Sequence, residues 1–130
     1  MKKVLIDSGV LIALFDAADG HHNNVIKFIK NNKLPLITTI ASITETLHLL
    51  DFNQAAQIDF LDWIHKGALE VYNIENYDFN QIKELTIQYH NLVFADSCLV
   101  FLAKKLNINT IATIDEDFAK MNEKFTVILL

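Results

Sequence analysis

The sequence predicts an α/β fold: a three-layer α/β/α sandwich around a central, mostly parallel sheet of five strands. Three observations predict it. Five short apolar runs rich in β-branched residues alternate with longer segments of helical spacing. The short runs are apolar at consecutive positions, as strands are when both faces of a sheet are covered. Three glycines and one proline in 130 residues leave too few tight-turn residues for an all-β architecture.

In chain order, "KVLID" (3–7) is a strand that ends in an acid, and "SGVLIALFDA" (8–17) has the spacing of a helix. "DGHHNNVIKFIKNN" (19–32) reads as a turn and then a helix with Val25, Ile26 and Ile29 on one face. "LPLITT" (34–39) is the second strand. "ASITETLHLL" (41–50) and "NQAAQIDFLDWIHKG" (53–67) are helices, the latter closed by Gly67 at a C-terminal cap. "ALEVYNI" (68–74) is the third strand, followed by a polar-faced helix in "DFNQIKELTIQYHN" (78–91) and an apolar one in "ADSCLVFLAKKLN" (95–107). "TIATI" (110–114) and "FTVIL" (125–129) are the last strands, with "DEDFAKMN" (115–122) between them as a loop or helical turn. No repeat, low-complexity segment or linker divides the chain, so residues 1–130 are expected to form a single domain.

Composition narrows the function. An apolar fraction of 52% fills a substantial core. The net charge is −5 and every basic residue is a lysine, so overall charge does not advertise nucleic-acid binding. Cys98 stands alone, which excludes an internal disulfide and a cysteine-based zinc site. Met1-Lys2-Lys3 could open a signal peptide, but Asp7, Asp16 and Asp19 interrupt the apolar run behind it. With no apolar run long enough for a membrane span, a cytoplasmic protein is expected.

Right-handed crossovers place the loops after parallel strands at one edge of the sheet, where ligands bind in open α/β folds. Acids far apart in sequence project onto that edge: Asp7 after the first strand, Glu45 in the helix after the second, Asp96 at the start of the long apolar helix, and Asp115 and Asp117 after the fourth. Each alone reads as a helix cap or dipole partner, and Ser42-Ile-Thr-Glu45 matches a capping box. Capping, however, does not require that the starts converge. Two carboxylates about 4 Å apart repel by about 4 kcal/mol at an effective dielectric of about 20. No arginine exists to compensate them, and no lysine adjoins them in sequence. A hard divalent cation would do so, with oxygen ligands that suit Mg²⁺ or Mn²⁺.

The stretches "VLIDSGVLIALFD", "TTIASITETLHLL", "VFADSCLVFLAKKLNI" and "TIATIDEDF" together resemble the four motifs of the PIN-domain ribonucleases, most closely the VapC-type toxins of bacterial and archaeal toxin–antitoxin pairs. The resemblance spans essentially the whole chain, in the family's order. It implies a PIN-like fold and Mg²⁺- or Mn²⁺-dependent hydrolysis of RNA phosphodiesters. It maps the catalytic, metal-holding acids onto Asp7, Glu45, Asp96 and Asp115, with Asp117 as an alternative ligand or a support just behind the ligands, and Ser8 and Thr113 as supporting hydroxyls. It also implies a homodimer and a protein antitoxin that occludes the acidic pocket. The chain departs from the pattern at Glu116, where relatives often carry arginine. RNA contact would then rest on Lys2, Lys3, Lys104, Lys105, Lys120 or Lys124, or on a partner.

Other residues have simpler expected roles. His21 and His22 lie at a helix start and lack zinc-ligand spacing. His48 shares a helix face with Glu45, as a surface residue or a proton carrier. Phe60, Trp63 and Ile64 are core or dimer contacts, and Cys98 is a packing residue on its apolar helix. Two other readings compete: a non-catalytic PIN-like module with an acidic binding or regulatory pocket, and a receiver-type phosphoacceptor. The second fits poorly, because "IDSG" supplies one acid where a pair is needed and no lysine comes after the last strand.

Overall fold

The structure is a computed structural model and describes residues 2–121, 123 and 125–130. Its elements keep the expected alternation: β1 (Val4–Ile6), α1 (Ser8–Phe15), α2 (His22–Asn31), β2 (Leu36–Thr39), α3 (Ile40–Leu49), α4 (Gln54–His65), β3 (Glu70–Tyr72), α5 (Phe79–Gln88), α6 (Phe94–Leu106), β4 (Thr110–Thr113) and β5 (Thr126–Leu129). Short 3-10 turns cover Asn76–Asp78 and Glu116–Phe118. The strands form one sheet in the order β3-β2-β1-β4-β5, and every neighbouring pair is parallel. The expected "mostly parallel" sheet is therefore wholly parallel among the described residues.

Alternation along the strands divides the core into two. Leu5, Ile37 and Ile111, which are register partners across three strands, pack with Ile82 and Leu85 of α5 and with the apolar face of α6. Val4, Ile6, Leu36 and Ala112 point the other way, onto α1, Val25 of α2 and Phe60 of α4. Successive strand residues face opposite sides, so a strand covered on both faces must be apolar throughout. That requirement produces runs such as Val4–Ile6, all three of them buried.

Helix ends are set by local chemistry. Asn53 caps α4 by accepting from the Ala56 N–H. Gly67, at φ +88°, closes it, with its N–H donated to Ile64 O and the Ala68 N–H to Trp63 O. A side chain is disfavoured in that left-handed region, so glycine is the residue expected there. Phe60 is fully buried, and Trp63 packs on Phe15 at 5.5 Å, so both, with Ile64, serve the core. No helix among the described residues is long and apolar enough to cross a membrane.

The chain winds from β1 outward through β2 to β3, then returns to the other side of β1 for β4 and β5. The winding direction reverses between β1 and β4, and the carboxyl ends of those two strands flank the crevice where such sheets bind ligands. α6 runs back towards the start of β4, so its N-terminus comes to the same edge. α3 leaves the carboxyl end of β2 and packs on both α1 and α6, which encloses the crevice.

Candidate metal centre

Asp7 comes directly after β1 and has two jobs. As N-cap of α1, its Oδ1 accepts from the Val10 N–H at 3.1 Å. Its Oδ2 accepts from the Thr113 hydroxyl in a very short hydrogen bond. The same Thr113 oxygen accepts from the Asp115 N–H at 2.9 Å. Thr113, fully buried at the end of β4, thus ties the acid after β1 to the acid after β4. Asp115 in turn caps the 3-10 turn, with its Oδ1 accepting from the Asp117 N–H at 2.8 Å.

Glu45 comes from α3. The expected capping box with Ser42 is absent, because α3 begins earlier than the sequence indicated. Thr39 is the N-cap and Ser42 lies inside the helix. Glu45 Oε1 instead accepts a very short hydrogen bond from Ser8 Oγ across the crevice. This contact joins α3 to the start of α1, so the Ser8 and Thr113 hydroxyls each donate to an acid. Asp96 lies in the first turn of α6, whose N-cap is Val93. Its carboxylate is partly buried and accepts no hydrogen bond among the described residues.

The acids feel one another. Asp7, 4% exposed, is pushed up to about 6, chiefly by burial. The hydrogen bonds from Thr113 and Val10 oppose that rise, and the charges of Asp115 and Glu45 add to it. Asp96 is pushed up to about 7, first by burial and then by the charges of Asp7, Glu45, Asp115 and Asp117. All five expected acids therefore contribute to one negative field, with Asp117 the exposed outer member. No ion pair reaches these acids among the described residues, where Lys3 pairs with Glu70, Lys66 with Asp62, Lys83 with Glu84, Lys104 with Glu123 and Lys105 with Asp78.

Concentrated, uncompensated oxygen donors fit a hard divalent cation in chemistry and charge. In the arrangement described, however, no three His, Cys, Asp or Glu side chains form a group that could hold a metal ion as they stand. Asp7 and Glu45 are turned onto the hydroxyls of Thr113 and Ser8. A cation would have to draw them together.

Among the lysines proposed for RNA, Lys120 shares a groove with Asp117, His90 and Tyr89 beside the acids. Lys2 and Lys3 lie at the amino edge of the sheet with Asn107 and Thr110. Lys104 and Lys105 are committed to ion pairs, and Lys124 lies outside the described residues. His21 and His22 contact the backbone carbonyls of Leu130 and Ala13. Cys98 is fully buried, and burial pushes its thiol up to about 12, which suits packing and not nucleophilic attack.

Two features escaped the sequence reading. Gly9 lies under the Ile114 side chain, where an added Cβ would sit 2.9 Å from Ile114 and 3.5 Å from Asp7 Oδ1. The glycine lets the segment after β4 close onto the start of α1; its place directly after "IDS" was the available signal. The second is an apolar groove of about 520 Å³ between α3, α5 and α6, lined by Glu45, His48, Ile74, Phe79, Phe94 and neighbours. No periodicity marks it, because its walls come from three separate helices.

The family model described as PIN domain matches residues 4–124. Among solved structures, the chain is similar to Mycobacterium tuberculosis VapC20, described as a sarcin–ricin-loop-cleaving toxin. The TM-score is 0.82 at 17% identity, over 90% of this chain and 93% of that one. It is similar to a toxin–antitoxin complex from Klebsiella pneumoniae, with a TM-score of 0.71 at 16% identity over 96% and 95% of the two chains. It is also similar to VapBC2 from Rickettsia felis, solved with a DNA fragment from its promoter, with a TM-score of 0.68 at 14% identity over 98% of each chain. At these identities the likenesses carry the fold. No curated protein matches the chain.

Proposed function

The chain belongs to the PIN-domain family, and on that premise we propose that it is a divalent-metal-dependent endoribonuclease, the toxin of a toxin–antitoxin pair. The observation that carries this reading is that Asp7, Glu45, Asp96, Asp115 and Asp117 share one field: burial first, and then the charges of the other acids, raise Asp7 and Asp96 above their ordinary range, and no ion pair among the described residues balances them. Nucleases that handle phosphodiesters through bound cations need such a concentration of hard oxygen donors.

In this reading Asp7, Glu45, Asp96 and Asp115 hold Mg²⁺ or Mn²⁺, with Asp117 at the rim. When bound, the cation supplies neutralisation of the phosphodiester charge and activation of a water. The remaining roles belong to the chain. The Thr113 hydroxyl fixes the Asp7 carboxylate, and Ser8 holds Glu45 until a cation competes for it. The start of α6 presents Asp96 with the favourable end of its dipole behind it. RNA contact falls to Lys120 on the Asp117 side.

Residues 1–130 act in this reading as one PIN-like domain in the cytoplasm, as a homodimer neutralised by a protein antitoxin. One of the similar structures is a toxin–antitoxin complex by its description, which supports the partner. A second reading, a PIN-like module that binds without cutting, is favoured by one observation. No group of three donors is preformed among the described residues.

The test is cleavage of single-stranded and structured RNA with Mn²⁺ or Mg²⁺. The nuclease reading expects cutting that EDTA stops and that Asp7→Asn reduces by several orders of magnitude. Mn²⁺ binding by a protein that cuts no RNA would establish the binding module in its place.

A further inference from the structure

A groove of about 470 Å³ runs between the turn joining α5 to α6 and the segment after β4. Each of its walls leads into the acid site. The first, residues 88–92, continues through Val93 to Asp96, whose N–H donates to Val93 O at 3.1 Å. The second begins at Asp117, whose N–H donates to Asp115 Oδ1 at 2.8 Å. It reaches Lys120, whose N–H donates to Asp117 O at 3.2 Å. The groove therefore starts within hydrogen-bond reach of Asp115, and Lys120 stands one turn further out.

Packing decides which side chains face the groove. Tyr89, Leu92 and Met121 lean on the core around α6. The Tyr89 hydroxyl also donates to Glu123 Oε1 at 2.8 Å, and Lys104 pairs with the same oxygen at 2.9 Å. That link ties one wall to the chain just beyond the other. Gln88, His90, Asn91, Asp117 and Lys120 are left exposed. His90 Nδ1 is taken by Ile87 O at 3.2 Å. The side chains of Gln88, Asn91 and Lys120 make no hydrogen bond among the described residues.

The geometry points to a nucleotide subsite: the groove takes the nucleotide next to the phosphodiester at the acids, with Lys120 on its phosphate and the Gln88 and Asn91 carboxamides on the edge of its base. This rests on the nuclease reading, which supplies the RNA. A carboxamide sets an N–H donor beside a C=O acceptor, the pairing that reads a base edge. The unstacked bases of a single strand leave that edge open. A lysine meets phosphate as a point charge. No apolar side chain in the walls is fully exposed, so the groove offers an apolar protein helix nothing to bury. Its volume admits one nucleotide. Sequence preference at the cut then resides in the turn between α5 and α6.

Fluorescence anisotropy with labelled single-stranded hexamers of A, C and U tests this, in Ca²⁺ and over a range of KCl. Wild type should prefer one of the three by about five- to hundredfold, the range of one base read by a well-placed amide. Gln88→Ala combined with Asn91→Ala should flatten that preference and leave the salt dependence unchanged. Lys120→Gln should weaken all three RNAs alike. It should also lower the slope of log affinity against log salt by about 0.7, the share of one phosphate on a single strand. Lys120→Arg should keep the slope. Circular dichroism confirms that the variants are folded.

These binding results in a protein that cuts nothing in Mn²⁺ would uphold the subsite while the nuclease reading failed. A protein that cuts RNA but binds the three hexamers equally would overturn the subsite and leave the nuclease reading standing. So would one whose preference and salt slope survive the substitutions. A wild type that binds none of the RNAs overturns the subsite, and cleavage with and without EDTA then judges the nuclease reading by itself.

Discussion

Replacing Asp96 by asparagine should make the metal-free protein more stable and the metal-loaded one less so. The amide keeps the shape of the carboxylate, and no hydrogen bond to the Asp96 side chain is lost among the described residues. What changes is charge. Asp96 titrates at about 7 in the fold and near 3.8 in the unfolded chain. Its neutral form is favoured by folding, so its stabilising effect is full below about pH 3.8 and is lost as pH rises through about 7. A shift of about three units corresponds to about 4 kcal/mol. Partial exposure and solvent screening reduce this to about 2 kcal/mol. Loss of a favourable charge at the α6 N-terminus takes back about 0.5 kcal/mol. The net gain at pH 8 in EDTA is about 1–1.5 kcal/mol, or about 3–6 °C in Tm for a domain of this size.

Thermal unfolding tracked by circular dichroism reads the effect at pH 4, 6 and 8. The variant's advantage should be near zero at pH 4 and largest at pH 8. Saturating Mn²⁺ should invert the order, since ligand at about a hundred times Kd adds about 2.7 kcal/mol to the form that binds it. A variant that melts lower than wild type at pH 8 in EDTA, or whose advantage does not shrink towards pH 4, would refute the reasoning.

Four further outcomes are expected. Wild type in EDTA should lose stability steadily between pH 4 and pH 7, because Asp7 at about 6 and Asp96 at about 7 both resist ionisation in the fold; denaturant titrations across that range measure it. Thr113→Val removes the donor to Asp7 and the acceptor of the Asp115 N–H, and should cost about 1–3 kcal/mol in urea unfolding while raising the Asp7 pKa further. Gly9→Ala, which in an open helix would stabilise, should here cost about 1–3 kcal/mol by crowding Ile114; Ile114→Val in the same chain should recover part of the loss. Cys98 should react with a thiol reagent only as fast as the protein unfolds, as a stopped-flow comparison with added urea would show.

Most of the fold was legible because its signals are local. Both faces of β1, β2 and β4 are covered, so their residues read as short apolar runs bounded by turns. Gly67 announced the end of α4 for the same reason: a left-handed residue leaves its mark at one position. The helix starts were less legible. Ser42 and Glu45 have capping-box spacing, yet α3 begins at Ile40 because Thr39 ends β2 and turns directly into the helix. The acids were found as a set because the topology brings strand ends to one edge, and that much is dictated by element order. Their partners were not all readable. Ser8 to Glu45 spans 37 residues and Thr113 to Asp7 spans 106, and nothing in either local sequence fixes which oxygen each hydroxyl reaches. The lysines show the same limit: Lys3 and Lys105 looked free until Glu70 and Asp78 were brought to them by the fold. The half-exposed Phe79 and Phe94 beside Glu45 left no mark in the sequence, because they begin two different helices.

The central claim is that Asp7, Glu45, Asp96 and Asp115 draw together around one divalent charge. A crystal soaked in Mn²⁺, with diffraction collected for manganese anomalous signal, tests it directly. The account predicts a peak at the carboxyl end of β1 and β4 within about 2.1 Å of carboxylate oxygens from Asp7 and Asp96, a hard-cation ligand distance. Glu45 should be turned away from Ser8 to join it. A crystal with no peak at that edge, and with Asp7 and Glu45 still on Thr113 and Ser8, would contradict it.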